Sequence, residues 1–523
     1  MGAHWLNLGE ITAVNARKFR DKVALRENNR TLTFGQLNLR ANRLANALTS
    51  LGLGKGDKVS CLLENSIEIV ELYLATAKTG IVINPINFRL AACEVEYIIT
   101  NSDAKAVIAH EEFARYSVNE HLPGIKNFIS VGDNPPPGYH NYETLLAAAP
   151  EDEPKAELNP QDPWVLLYTS GTTGKPKGVV RSHESYIAFY LISAVDFGFG
   201  ETDICLNVMP LCHVNSTFFS FTFTYLGASL YIQPARRFDP AEIFDIIQRE
   251  KITFISLIPT HYNLMLTVPA EKRKLYELGS IRKLLCSSAP ARREMKTAVM
   301  EMFKGVELYE AYGSTEAGIV TVLKPHEQLS KLCSIGRESC GTSLVRILGP
   351  DGRPVPAGVA GELYSKGPML FDEYHKLPEK TAQSFRDGWF SAGDMAREDE
   401  DGYYYIVDRK DNMIITGGEN VYPSEIEAVI AGHPAVFDAA VIGVPDKIWG
   451  ESIKAVVILR EGGTASEAEI INFCAGKAAS FKKPKTVAFI KAAEMPRTPT
   501  GKILHRELRR KFGSAPGAGI EPC

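Results

Sequence analysis

Tyr168-Thr-Ser-Gly-Thr-Thr-Gly-Lys-Pro-Lys-Gly178 packs three glycines, four Ser/Thr hydroxyls and two lysines into eleven residues. Backbone N–H groups and hydroxyls of so slender a loop can converge on one point, which is the chemistry of a polyphosphate site. Glycine serves where the backbone must come close to a ligand or adopt positive φ. The loop is not of the Walker type: two residues separate Gly171 from Gly174, and Pro176 follows Lys175. The apolar run Trp164-Val-Leu-Leu-Tyr168 before it predicts a buried strand that opens into the loop.

Three further runs end on groups suited to phosphate and cation chemistry. Tyr309-Glu-Ala-Tyr-Gly-Ser-Thr-Glu316 and Trp389-Phe-Ser-Ala-Gly-Asp394 end on carboxylates, and Pro496-Arg-Thr-Pro-Thr-Gly-Lys502 ends on an ammonium. Taken alone, the first reads as well as a polar turn, Asp394 can simply end a strand turn, and a lysine in a Pro/Thr/Gly loop is ordinarily a solvated charge. In this order, behind the phosphate loop, they resemble the motifs of the adenylate-forming superfamily: acyl-CoA synthetases, aryl-CoA ligases, luciferases and the adenylation domains of peptide synthetases. The resemblance covers the chain from about Leu32 to Leu508.

Making an acyl adenylate requires that ATP be held, that a carboxylate be placed in line with the α-phosphorus, and that charge on the bridging oxygens be neutralised as pyrophosphate leaves. The resemblance implies which residues do this. Thr169, Ser170, Gly171, Thr172, Thr173, Gly174 and Lys177 take the phosphates. Tyr312 lies against adenine, beside Gly313, while Thr315 contacts the α-phosphate and Glu316 helps hold Mg2+. A carboxylate suits a hard cation that keeps most of its waters. Asp394 and Arg409 take the ribose. Lys502 is the adenylation cation, for which a compact ammonium on a flexible stem is suited.

The remaining assignments concern the acid and its acceptor. His213, in Met209-Pro-Leu-Cys-His213, borders the carboxylate end of the acyl group. Phe218, Phe219, Ser287, Ser288, Ala289 and Pro290 are further wall positions. Gly417, Gly418 and Glu419 line a tunnel for the pantetheine arm once the small domain has turned about a hinge at Asp411. Lys483 and Lys485, in Phe481-Lys-Lys-Pro-Lys485, meet the nucleotide phosphates of CoA, with Arg89 as a third candidate. One departure is Cys286-Ser-Ser-Ala-Pro290, where relatives carry a more glycine-rich adenine-side loop. Where amino-acid-activating domains carry an aspartate, this chain reads His213-Val-Asn215, which argues against an amino-acid substrate.

The implied function is an AMP-forming acid–CoA ligase with Mg2+ as cofactor and ATP and CoA as cosubstrates, acting on a fatty, aryl or carnitine-like small-molecule carboxylic acid. The alternatives are an adenylating enzyme that loads a carrier-protein thiol and a luciferase-like oxidase.

The elements that must hold these residues are legible in outline. A chain of 523 residues exceeds one ordinary core. A helix from Phe34, a strand at Val59–Leu63, a helix from Ile67 to Lys78 and a strand at Ile81–Asn84 alternate, and so do Ala228–Ile232, Ala241–Arg249, Ile252–Leu257 and Leu284–Cys286. The expected class is α/β: a large N-terminal domain of layered α/β subdomains, residues 1–410, whose part from about 340 to 408 is small and β-rich, and a small mobile α+β C-terminal domain, residues 411–523. In the latter, Ser424 with Glu427 three residues on predicts a capping box. A second helix is expected from Ser466 to about Ala478, and a last one from Ile503. Net charge of −4 gives no reason to expect nucleic acid or an anionic membrane as partner. Nine scattered cysteines without a C-x-x-C pair fit a reducing cytoplasm. No apolar run reaches the length of a membrane span, and no secretory signal pattern is seen.

Overall fold

The computed structural model describes residues 7–116, 122, 124–169, 176–234, 237–287, 291–342, 344–416, 419–446, 448–475, 477–478, 482–497 and 501–513. Ser170, Gly171, Thr172, Thr173, Gly174, Ser288, Ala289, Pro290, Gly417 and Gly418 therefore lie outside the described residues, as do the side chains of Asp411 and Glu419. The chain divides into two compact units. One comprises residues 1–345 and 365–392, the other 346–364 and 393–523.

The first unit holds two large sheets. The nine-stranded sheet runs Arg337–Glu338, Gly318–Leu323, Glu307–Ser314, Lys283–Ser287, Phe254–Leu257, Ile204–Asn207, Ser229–Ile232, Val23–Glu27, Arg30–Thr33, parallel through its middle and antiparallel at its edges. The eight-stranded sheet runs Glu373–Tyr374, Lys177–Ser182, Pro163–Thr169, Val82–Pro85, Lys58–Leu62, Ala104–His110, Asn127–Val131, His140–Asn141. One core cluster draws Leu230, Phe254 and Leu285 from the first sheet, Val59, Ile83 and Val165 from the second, and the buried faces of helices Ile67–Thr79, His183–Phe197 and Val214–Leu226. A parallel sheet covered by helices is buried on both faces, which is why its strands read as continuous apolar runs. Helix ends follow local chemistry. Thr33 and Gln36 form a capping box on helix Phe34–Ser50. Helix Val214–Leu226 stops at Gly227 (φ +77°), where a Cβ would lie 2.1 Å from the Phe19 ring, so no other residue fits.

The second unit has a four-stranded antiparallel sheet, Arg346–Leu348, Gly361–Tyr364, Asp394–Glu398, Tyr404–Arg409. Its five-stranded sheet is built on the long hairpin Val436–Asp446 and Gly450–Leu459, with Thr486–Phe489 parallel to the second arm. Val441, Val457, Ile426 and Ile470 fill one face of that sheet, and Ile442, Val456 and Leu508 the other.

The mixed α/β class is the one expected, and two local expectations are corrected. Helix Pro423–Ala431 takes Tyr422 as its cap residue, without a side-chain cap bond. Ser424 instead donates its hydroxyl to the Val407 carbonyl, and Glu427 accepts from Val441 N and pairs with His505. Proline at the first helical position moves the start back by two residues. The helix expected from Ser466 to about Ala478 is Glu467–Phe473, with Ser466 as its cap residue. No helix among the described residues is long and apolar enough to cross a membrane.

Candidate active site

Strands Pro163–Thr169 and Lys177–Ser182 pair antiparallel as the two arms of a hairpin, with Thr169 opposite Lys177. The Thr169 hydroxyl is buried without a hydrogen-bond partner among the described residues. Helix Ala92–Asn101 braces the base of the hairpin. Tyr168 donates to Asn101 Oδ1 at 2.6 Å, and Tyr97 donates to the Pro176 carbonyl at 3.3 Å.

Lys177 and Glu316, far apart in the chain, meet at 2.8 Å. Glu316 stands in the turn between strands Glu307–Ser314 and Gly318–Leu323. The pairing shifts register between Tyr312 and Gly313. A Cβ on Gly313 would lie 1.9 Å from the Gly318 carbonyl oxygen, so the close crossing of this hairpin demands glycine. Ser314 Oγ accepts from Ala317 N at 3.0 Å and tightens the turn that carries Thr315 and Glu316. Burial pushes the Glu316 carboxyl up, but the Lys177 charge and bonds from Lys177 and Tyr374 more than compensate, so its pKa lies below the usual carboxylate range. Thr169, Lys177, Tyr312, Gly313, Thr315 and Glu316 are thus carried on neighbouring elements of one unit.

Two residues here carried no signal in the sequence. Tyr374 touches both Lys177 and Glu316. Arg181 is wholly buried, donating to the carbonyls of Thr315 at 2.6 Å, Glu316 at 3.4 Å and Met369 at 2.5 Å. Its guanidinium lies 4.8 Å from the centroid of the Phe218 ring, and burial lowers its pKa. A single cation therefore joins the turn of Glu316 to the helix that bears Phe218.

Asn65 donates to the Met209 carbonyl and accepts from Leu211 N at 2.7 Å, fixing the turn before His213. His213 is the cap residue of helix Val214–Leu226. Its Nε2 is buried without a partner among the described residues. Burial first, and Arg89 second, lower its pKa to about 4, so the imidazole is neutral at pH 7. Phe218 stacks on Phe189 at 3.9 Å, and Phe219 packs edge-on against the same ring. Asn215 donates to Ser287 Oγ at 2.9 Å and accepts from Ser256 at 3.0 Å. Arg89 is exposed beside Phe88.

The second unit gathers its own predicted residues. Asp394 and Arg409 stand opposite each other in register, with Nε and Oδ1 2.7 Å apart. Lys502 lies in a small hairpin closed by the Leu504 N to Pro496 O bond and the Arg497–Ile503 bridge. The residue keeps an exposed surface, yet crowding of its ammonium by protein atoms and then the Arg409 charge lower its pKa, opposed by Asp394 and Asp408. Asp394, Arg409 and Lys502 are therefore electrostatic neighbours. Lys485 sits 4.9 Å from the Trp449 ring, which is half exposed, and 3.4 Å from Asp446, whereas Lys483 has no such aromatic neighbour among the described residues. Asp411 falls in the short 3-10 turn Lys410–Asn412.

The sequence profile of the AMP-binding enzymes matches residues 12–375, and that of the AMP-binding enzyme C-terminal domain matches residues 425–502. The long-chain-fatty-acid–CoA ligase FadD13 of Mycobacterium tuberculosis is 37% identical over 493 residues, covering 92% of this chain and 93% of its own. A feruloyl-CoA synthase of Amycolatopsis sp is 34% identical, covering 97% and 99%. Among solved structures, ATP-bound MatB from Rhodopseudomonas palustris superimposes with a TM-score of 0.87 at 31% identity, covering 97% of this chain and 99% of that one.

Proposed function

The chain belongs to the AMP-binding enzyme family, on the acid–CoA ligase branch of the adenylate-forming superfamily, and from that premise we propose how its residues divide the work. The reaction is carboxylic acid + ATP + CoA to acyl-CoA + AMP + pyrophosphate, through an acyl adenylate. The meeting of Lys177 and Glu316 carries the proposal for the nucleotide site, because a lysine from the phosphate loop and a carboxylate kept ionised despite burial share one point.

In the first step the acid's carboxylate oxygen attacks the α-phosphorus and the bond to pyrophosphate breaks. Residues 169–174, Lys177 and Thr315 hold the phosphates, Tyr312 faces the base, and Asp394 with Arg409 takes the ribose. Lys502 approaches the carboxylate and α-phosphate, its motion turning on Asp411. Mg2+ would be held by Glu316, whose ionised oxygens are of the right type, and bound there it would draw charge from the phosphate oxygens. His213 bounds the carboxylate end, and a neutral imidazole there adds no charge to repel or trap the acid.

In the second step a thiol attacks the acyl carbonyl and AMP leaves. Lys485 beside the exposed Trp449 supports CoA as the acceptor, since a cation and an aromatic face suit a phosphorylated nucleotide. We place the enzyme in a reducing compartment, in keeping with the eight free cysteines among the described residues. We assign the acid to the fatty, aryl or carnitine-like classes, with Phe218 and Phe219 as the proposed wall positions.

The test is pyrophosphate release with acetate, hexanoate, decanoate, benzoate, cyclohexanecarboxylate and carnitine, each with CoA or a holo-carrier protein as acceptor. Turnover with an apolar acid and CoA is expected. If oxygen label from the carboxylate never reaches AMP, adenylation is excluded. If only the carrier protein is acylated, the choice of CoA is excluded.

A further inference from the structure

Tyr374 lies at the edge of the eight-stranded sheet, paired with Val179 of the strand that leaves the phosphate loop. It is 2% exposed. Thr381 Oγ1 accepts from its backbone N–H at 2.9 Å, and its ring packs on Phe371 with centroids 4.7 Å apart, so the phenol has little freedom. Its oxygen accepts from Lys177 Nζ at 2.7 Å and donates to Glu316 Oε1 at 2.8 Å. The direction is fixed by chemistry: an ammonium can only donate and a carboxylate can only accept, so the one hydroxyl must do both. Lys177 Nζ also lies 4.0 Å from the centre of the ring. Lys177 and Tyr374 both reach the same oxygen of Glu316.

This arrangement bears on nucleotide capture. Lys177 and Glu316 neutralise each other where no phosphate is at hand. Until a metal ion is in place, turning Lys177 toward a phosphate strips a buried carboxylate of its cation, and an uncompensated buried charge is costly. A hydroxyl that stays on Oε1 lessens that loss, since hydrogen bonds to a charged group are among the stronger ones. We infer that Tyr374 is a positioning residue for nucleotide capture: it keeps Glu316 in place while Lys177 exchanges its carboxylate for a phosphate. The inference rests on the reading that the loop of residues 168–178 binds ATP.

The experiment uses the full chain as wild type, Tyr374→Phe, Lys177→Met and the double variant. Phenylalanine keeps the ring and removes only the hydroxyl. ATP affinity is measured by calorimetry without acid, so that no turnover is needed, and steady-state kinetics follow. The Tyr374→Phe variant should bind ATP about tenfold more weakly, the size expected for a hydrogen bond to a charged group. Its KM for ATP should rise in parallel, while kcat and the KM for the acid stay within about threefold, the pattern of lost binding alone. In the Lys177→Met background the same change should cost nothing further, because there is no ion pair left to share.

Equal penalties in both backgrounds would mean that Tyr374 does not act through Lys177 and would overturn the inference. Unchanged ATP affinity in Tyr374→Phe would do the same. Failure of Tyr374→Phe to fold would make the hydroxyl a structural element and likewise count against it. A wild type that binds no ATP removes the functional reading itself, a result distinct from each of these.

Discussion

Arg497 donates from Nη1 to the carbonyl oxygen of Gly501 at 2.8 Å, and Gly501, at φ +84°, is the residue immediately before Lys502. The other arm of the guanidinium pairs with Asp438 on strand Val436–Asp446. The lysine hairpin is thus tied to the central hairpin of its unit by one side chain. Both partners keep about a third of their side-chain surface in water, so the pair contributes little to stability. Its consequence is where Lys502 points. Arg497→Met should slow adenylation by about tenfold, the size of a lost charged hydrogen bond. Conversion of a supplied acyl adenylate to thioester should be unchanged. Single-turnover measurement of each half-reaction decides it; equal losses in both would deny a role confined to Lys502.

Lys502 itself should matter more. Lys502→Ala should depress adenylation by at least about 10²-fold, as removal of a comparable charge stabiliser does. Lys502→Arg should not restore the rate, since a planar fork cannot replace a compact ammonium between Arg409, Asp394 and Asp408. The alanine variant should still convert a supplied acyl adenylate. Release of pyrophosphate, followed separately from thioester formation, is the measurement. A comparable fall in the two would remove the assignment.

Arg181 gives a stability prediction. Its guanidinium is wholly buried and serves the carbonyls of Thr315, Glu316 and Met369. Arg181→Met leaves those acceptors without their donors and should lower the unfolding free energy by about 3 kcal/mol, near the cost of breaking a buried charged contact. Arg181→Lys can reach fewer of the carbonyls and should recover part of it. Urea unfolding of the three proteins is the check. A methionine variant as stable as wild type would mean that water reaches the carbonyls instead.

The contrast between Lys177 and Arg181 marks what the sequence could and could not disclose. Lys177 sits in a loop whose composition is itself unusual, whereas Glu316 stands out only through the resemblance of its run, in order behind that loop, to a family motif; the fold brings the two together. Arg181 follows Val179-Val180 in a strand where a charged residue would ordinarily mark the solvent face. Its burial depends on a carbonyl cluster contributed by distant turns, which no local pattern encodes. Tyr374 was hidden for the same reason, on a two-residue edge strand. Asn215, on helix Val214–Leu226, shows in the sequence only as the absence of an aspartate, because its partners Ser256 and Ser287 lie on strands far along the chain. The alternating strands and helices of the first unit were plain, since their apolar period is local. The capping box at Ser424 failed because Asp408 and Val407, brought in by the preceding strand, claimed the Ser424 N–H and hydroxyl. Tertiary partners override a local capping signal when they arrive with better geometry.

His183 ties the N-terminal helix to the core and makes that tie sensitive to acid. Its Nδ1 accepts from Leu8 N at 3.3 Å, the first residue of helix Leu8–Lys18, and its ring stacks on Trp164. Burial lowers its pKa to about 4, from an ordinary value of 6.5. Below about pH 6.5 the unfolded chain takes up a proton that the folded chain refuses until about pH 4, so stability rises with pH across that interval and is lost as pH falls. A protonated ring could no longer accept from Leu8. The loss from this one residue between pH 7 and pH 5 should be about 2 kcal/mol. His213 and His261, also lowered to about 4 chiefly by burial, add to the slope in the same direction. His183→Gln retains an acceptor for Leu8 N and does not titrate, so its unfolding free energy should fall less between pH 7 and pH 5. Urea unfolding at those two pH values, in wild type and variant, measures the difference. Identical pH slopes would show that His183 is protonated as readily in the folded protein as in the unfolded chain.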